Sequence, residues 1–202
     1  TRAGFDAARL TLVPSASHGR ALVEAYGRIR GLRIVPNAAT SPASPDLQRK
    51  EPFVFAAGRW WDEGKNGRAL DEAAGMAAWP VLMAGAVEGP LGQRFVATRA
   101  QMLGPLDAAV VRGEMARAAV FAAPSIYEPF ALFADPHDPA AFAAAIDALA
   151  SDDSLRRDLA ARARGRAAAF TIERQTTLLM EAYAGAMAGA ASGRGHARQS
   201  AF

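Results

Sequence analysis

The sequence predicts an α/β protein built on a Rossmann-like parallel sheet flanked by helices, with a run of helices at its carboxyl end. Three observations predict it. Short apolar runs rich in Val, Ile and Phe alternate with alanine-rich amphipathic stretches, which is the pattern of βα units. A residue able to cap a helix follows several of those runs by a few positions. After Phe130 the alternation stops and three helix patterns succeed one another without a clear strand.

Taken in order, the predicted strands are Leu10–Val13, Leu32–Val35, Phe53–Ala57, Val81–Ala84, Gln101–Leu103 and Val120–Ala122. Ser15 caps a helix that runs through Tyr26 and stops at Gly27, Asn66 caps one through Ala78, and Asp107 caps one through Ala118. Asp138-Pro139 opens a helix to about Ala150, Asp152 one to about Ala169, and Thr171 a last one to about Met187. The stretches Pro36–Pro52 and Ala84–Gly92 are rich in Pro, Gly and small polar residues and read as loops. From Gly189 to Phe202 the chain is small and polar, as expected of a flexible tail.

Composition excludes several classes. The chain has 202 residues, 51% of them apolar, enough for a substantial core. Its 23 Lys and Arg face 20 Asp and Glu, so the net charge is only +3, and the arginines are interspersed with acids instead of forming a basic stripe. Nucleic acid is therefore not the expected partner. No cysteine is present, which removes disulfides, thiolate metal sites and cysteine nucleophiles and suits a reducing compartment. No uninterrupted apolar run reaches 18 residues, the length for a membrane-spanning helix. The opening Thr1-Arg2-Ala3 has neither an initiator methionine nor a signal-peptide stretch, and sequence upstream is expected.

The richest local signal runs from Phe53 to Asn66: an apolar strand, a Gly58-Arg59 turn, the pair Trp60-Trp61, then Lys65 at a helix start. In an open α/β sheet such a strand end faces the ligand crevice, where two cations and free helix N–H groups suit a diphosphate. Spacing alone leaves a second reading open, in which Arg59 and Lys65 are solvated and Lys65 pairs with Asp62 or Glu63. The segment is not a P-loop, because five residues separate Gly58 from Gly64 and Asn66 follows the lysine. Gly85 to Gly92 lacks the spacing of a dinucleotide fingerprint. A second signal is Val120 to Phe130, a strand entering a proline-flanked turn whose Glu128 could accept hydrogen bonds from sugar hydroxyls. His18, His137 and His196 have no metal-ligand spacing, and no Asp-x-Asp is present, so no metal is expected.

In order, Leu12-Val-Pro-Ser-Ala-Ser, Arg33-Ile-Val-Pro-Asn37, Phe55-Ala-Ala-Gly-Arg59 through Lys65-Asn66, Leu103-Gly-Pro, Val120-Phe-Ala-Ala-Pro-Ser125, Tyr127-Glu-Pro-Phe130 and Ala131-Leu-Phe-Ala-Asp-Pro136 resemble the carboxyl-terminal half of a GT-B retaining glycosyltransferase of group 1, also called family 4. The resemblance implies that Arg59 and Lys65 hold the donor diphosphate, that Glu128 faces the donor sugar, and that the turn around Pro105 and Leu106 meets the nucleotide base. Arg59, Lys65 and Glu128 are thus the expected catalytic set, and Leu106 joins them in donor binding. It also implies three parts: residues 1–35 as the end of an acceptor domain and its crossing, 36–187 as the nucleotide-sugar donor domain, and 188–202 as the tail.

Several departures qualify the resemblance. The acceptor-binding amino-terminal domain would precede Thr1. The family places a second glutamate, which holds the donor ribose, eight residues beyond the first, and here that position is Pro136. At the Phe130–Ala131 junction the text passes directly to a segment that normally follows one further βαβ unit of about 30 residues. A true deletion would disrupt the donor site, whereas the intact flanking motifs favour a parent protein in which that unit is present. Asn37-Ala38 replaces the usual Asn-Gly, a small change at a turn.

The expected activity is transfer of a sugar from a nucleotide diphosphate sugar to an acceptor hydroxyl with retention, with the donor as cosubstrate and no obligatory metal. The acceptor, whether glycan, lipid-linked or small molecule, is not legible. The resemblance implies a cytoplasmic protein, and peripheral association with the inner face of a membrane stays open because relatives use lipid-linked acceptors. The alternatives are a non-catalytic GT-B-like interaction module and a sugar-nucleotide epimerase of GT-B architecture.

Overall fold

The computed structural model describes residues 2–38, 50–125 and 134–196. Two compact units are present, Thr1–Ala43 with Arg162–Phe202, and Ser44–Ala161.

The first unit holds α1 (Arg2–Ala7), β1 (Thr11–Val13), α2 (Ala16–Tyr26), β2 (Leu32–Ile34) and α7 (Ile172–His196). β1 and β2 pair in parallel, with Thr11 opposite Leu32 and Val13 opposite Ile34. Ser15 caps α2 as expected, its hydroxyl accepting the His18 N–H at 3.1 Å, and Gly27 closes the helix at φ 72°. α1 has too little apolar periodicity to be read from sequence. Its signal is the pair Arg2 and Asp6, one helical turn apart and joined at 2.8 Å, with Arg2 also donating to the Arg28 carbonyl at 3.1 Å. α7 runs on to His196, beyond the Met187 expected as its end.

The second unit carries the main sheet. Its strands are β3 (Glu51–Ala57), β4 (Val81–Ala84), β5 (Gln101–Gly104) and β6 (Ala118–Phe121), in the order β5-β4-β3-β6 and all parallel. Strands buried on both faces read as continuous apolar runs, which is why Phe53 to Ala56 are buried one after another. Alternate side chains serve opposite faces. Val54, Ala56, Val81, Met83 and Val120 meet Leu70 of α3 (Gly67–Ala74) and Ile146 of α5 (Pro139–Ser151). Phe53, Phe55, Ala84 and Ala118 pack instead with Leu106 and with Val111 of α4 (Ala108–Arg117). Full burial of Phe55 or Leu70 contributes about 1.5–3 kcal/mol each.

All six expected strands form, with shifted edges. β3 starts at Glu51, ahead of the expected Phe53, because Glu51 already pairs with Ala118 and its carboxylate takes two hydrogen bonds from Arg117 at 2.8 Å. Pro52, which cannot donate to a ladder, sits at the register shift between Glu51 and Val54. α3 stops at Ala74, short of the expected Ala78. Gly75 closes it, and the Ala78 N–H goes to the Asp147 carboxylate on α5 at 2.8 Å. Asp138 caps α5 through the N–H groups of Ala140 and Ala141. α6 (Asp153–Ala167) follows, held by Asp153 with Arg156 and Arg157. Within the expected loop from Pro36 to Pro52, residues 39–49 lie outside the described residues.

Asp71 on α3 is 5% exposed and its carboxylate takes the N–H groups of Thr98 (3.0 Å), Arg99 (2.9 Å) and Ala100 (2.8 Å) and the Thr98 hydroxyl (3.0 Å). Burial pushes this carboxyl up, but the donors outweigh it and it sits below the ordinary carboxylate range. The lead-in to β5 is thereby fastened to α3.

Candidate functional site

Beyond Ala57 the β3 backbone extends its ladder into a turn. Gly58 donates to the Ala84 carbonyl at 3.0 Å and Trp60 to the Ala86 carbonyl at 2.8 Å. The exits of β3 and β4 touch. Gly85 has φ 128°, and a Cβ there would stand 1.8 Å from the Gly58 oxygen, so only glycine fits.

The two tryptophans divide the labour of this turn. Trp60 is 3% exposed, donates its indole N–H to the Ala84 carbonyl at 2.8 Å and packs against Phe95 with ring centroids 6.4 Å apart. Trp61 supports the Arg59 guanidinium, which lies 5.3 Å from its ring centroid. Arg59 also meets Asp62 at 3.2 Å and remains 64% exposed. Asp62 in turn accepts the Gly64 N–H at 3.0 Å and starts the 3-10 turn Glu63–Lys65.

That turn delivers Lys65 to a cavity of about 170 Å³ at the carboxyl ends of β3 and β6, walled by Ala57, Trp60, Phe121, Pro124 and Ser125. Lys65 Nζ donates to Ser125 Oγ at 3.4 Å. The expected cap role of Asn66 is not what its side chain performs. Its backbone is left-handed at φ 54°, it makes no cap bond, and its amide donates to the carbonyls of Pro124 (3.2 Å) and Pro136 (2.7 Å).

Of the sequence-predicted residues, Arg59 and Lys65 share one turn but have different neighbours, Trp61 and Asp62 for the first, Ser125 and the cavity for the second. Leu106 packs on the Phe53 and Phe55 face of the core, and Gly104, at φ 69°, ends β5 just ahead of it. Asp107 precedes α4 without a side-chain cap bond. Glu128, with the rest of the Tyr127–Phe130 turn, lies outside the described residues. Ser125 was part of a recognised motif yet had no assigned role, since its contact with Lys65 spans 60 positions.

A larger open groove, about 460 Å³, lies at the amino ends of β3 and β4 between Phe53, Pro80, Leu82, Leu103 and Arg117. Its charged groups are already matched: Arg117 bonds both Glu51 and Glu114 at 2.8 Å, and the Arg117 hydrogen bonds hold the Glu51 carboxyl below its ordinary range. It therefore brings no poised group to a ligand. Among the described residues, no three His, Asp or Glu side chains gather as a metal site, and no helix is long and apolar enough to cross a membrane.

Parallel strands in the order β5-β4-β3-β6, helices on both faces, a crevice at the strand carboxyl ends and a closing series of helices define the fold of a GT-B carboxyl-terminal domain. Among solved structures, the chain is similar to sucrose-phosphate synthase from Thermosynechococcus elongatus, with a TM-score of 0.73 and 17% sequence identity over 93% of this chain. The match spans 61% of that chain's length. No protein-family model matches the sequence, and no curated protein matches it.

Proposed function

We propose that this chain supplies the donor-binding part of a retaining glycosyltransferase that moves a sugar from a nucleotide diphosphate sugar to an acceptor hydroxyl. The observation that carries the reading is the cavity at the carboxyl ends of two neighbouring parallel strands with Lys65 and Ser125 meeting in it. A lysine ammonium there meets the negative charge that grows on the leaving diphosphate as the glycosidic bond breaks. Arg59 completes the cradle. Its exposed pair with Asp62 is worth only about 0–1 kcal/mol, so little holds the guanidinium back from turning to an arriving phosphate. With two side-chain cations at the phosphates, the reading assigns no metal a necessary part. The backbone beside Leu106 meets the nucleotide base, Glu128 faces the sugar, and the acceptor is bound by the parent protein's other domain.

Calorimetric titration with UDP, GDP and ADP tests this. One of the three binds the wild-type chain, and Lys65→Ala and Arg59→Ala each weaken that binding by about 1.5–3 kcal/mol. Unchanged affinity in Lys65→Ala overturns the site assignment, and no binding of any of the three favours a non-catalytic module of the same fold.

A further inference from the structure

Asn66 is the one non-glycine residue with positive φ among the described residues. Glycine would adopt this backbone with less strain, so what asparagine adds is its amide. Both amide hydrogens are used. One goes to the Pro124 carbonyl just after β6, the other to the Pro136 carbonyl just before α5, partners 58 and 70 residues away. Both partners are acceptors only, which fixes the amide nitrogen toward them. The three segments meeting at this amide are the start of α3, the exit of β6 and the entry to α5. Its chain neighbour on one side is Lys65, and the neighbour of Pro124 is Ser125, so the clip sets the distance between the lysine ammonium and the serine hydroxyl.

We infer that Asn66 is a positioning residue for anion binding, holding the β6 exit so that Ser125 Oγ stands beside Lys65 Nζ as a second donor to the same phosphate group. The inference rests on the donor-site reading above. A hydroxyl placed beside an ammonium can turn its hydrogen toward a phosphate oxygen while its own oxygen continues to accept from the lysine. Without the clip, the loop after β6 recovers conformational freedom and that alignment has to be repaid on binding.

The test is a double-mutant cycle read by calorimetry with inorganic pyrophosphate as the probe, alongside UDP, GDP and ADP, on the full chain. Asn66→Gly keeps the backbone and removes the amide. It should bind pyrophosphate about tenfold more weakly, the scale of one hydrogen bond to a charged group, and Ser125→Ala should lose a similar factor. If Asn66 acts through Ser125, the double variant is no worse than either single one. Should Asn66→Gly fold poorly, Asn66→Ala, which likewise removes the amide and adds no charge beside Lys65, carries the same expectation. Wild-type affinity in the Asn66 variant, or losses that multiply to about a hundredfold in the double variant, overturns the inference while a weakened Lys65→Ala leaves the donor-site reading standing. A wild-type chain that binds neither pyrophosphate nor any of the nucleotides removes both.

Discussion

One carboxylate, Asp71, joins α3 to the segment that enters β5, and its four donors make it a site where protonation must register in stability. Its folded-state pKa is depressed, so its contribution is fully present above the unfolded value near 3.8 and is lost as pH falls through the folded one. Asp71→Ala leaves three partly buried backbone N–H groups without their carboxylate acceptor and should destabilise the chain by about 1–3 kcal/mol at neutral pH. Urea unfolding measures it. The same series repeated below pH 4 should show the gap between wild type and variant closing, and a constant gap would mean that Asp71 does not titrate with folding.

At the level of elements, the contact between the exits of β3 and β4 is the tightest constraint on the site. Gly85→Ala has to move a Cβ that would lie 1.8 Å from the Gly58 oxygen and also strains a φ of 128°, so it should cost about 3 kcal/mol or more. Gly113→Ala on α4 meets nothing within 4 Å and should stabilise by about 0.5–1 kcal/mol through helix propensity. Chemical denaturation of the pair separates backbone crowding from glycine content. The strands were legible because a parallel sheet buries both faces and writes itself as runs such as Phe53-Val54-Phe55-Ala56. Ser15, Gly27 and Asp138 were legible because a cap acts within three or four residues. Asn66 was rightly placed at the start of α3, but its side-chain role was not legible, because its partners are remote in sequence and nothing local distinguishes a clip from a cap. Lys65 could be placed at the strand end from spacing, whereas its partner Ser125 required the β3–β6 pairing that only the fold supplies.

For the whole molecule, donor binding should appear as a stability gain. A nucleotide at a hundredfold its dissociation constant adds about 2.7 kcal/mol, or about 5 to 10 °C in melting temperature for a chain of this size. All three tryptophans, at 60, 61 and 79, lie in the unit that contains Lys65 and Ser125, so their fluorescence reports that unit. A melt followed this way with UDP, GDP and ADP in turn should single out one base, and three superimposable melts would contradict the donor role. The strand order has a further consequence for biosynthesis. β3 leaves the ribosome ahead of its sheet neighbours yet ends up between β4 and β6, and the Glu51–Arg117 link at its β6 side joins residues 66 positions apart. At about 5–20 residues per second, the nascent chain spends roughly 3 to 13 s with Phe53 and Phe55 awaiting that neighbour. During that interval the flank of β3 that β6 will occupy has no backbone partner from its own sheet.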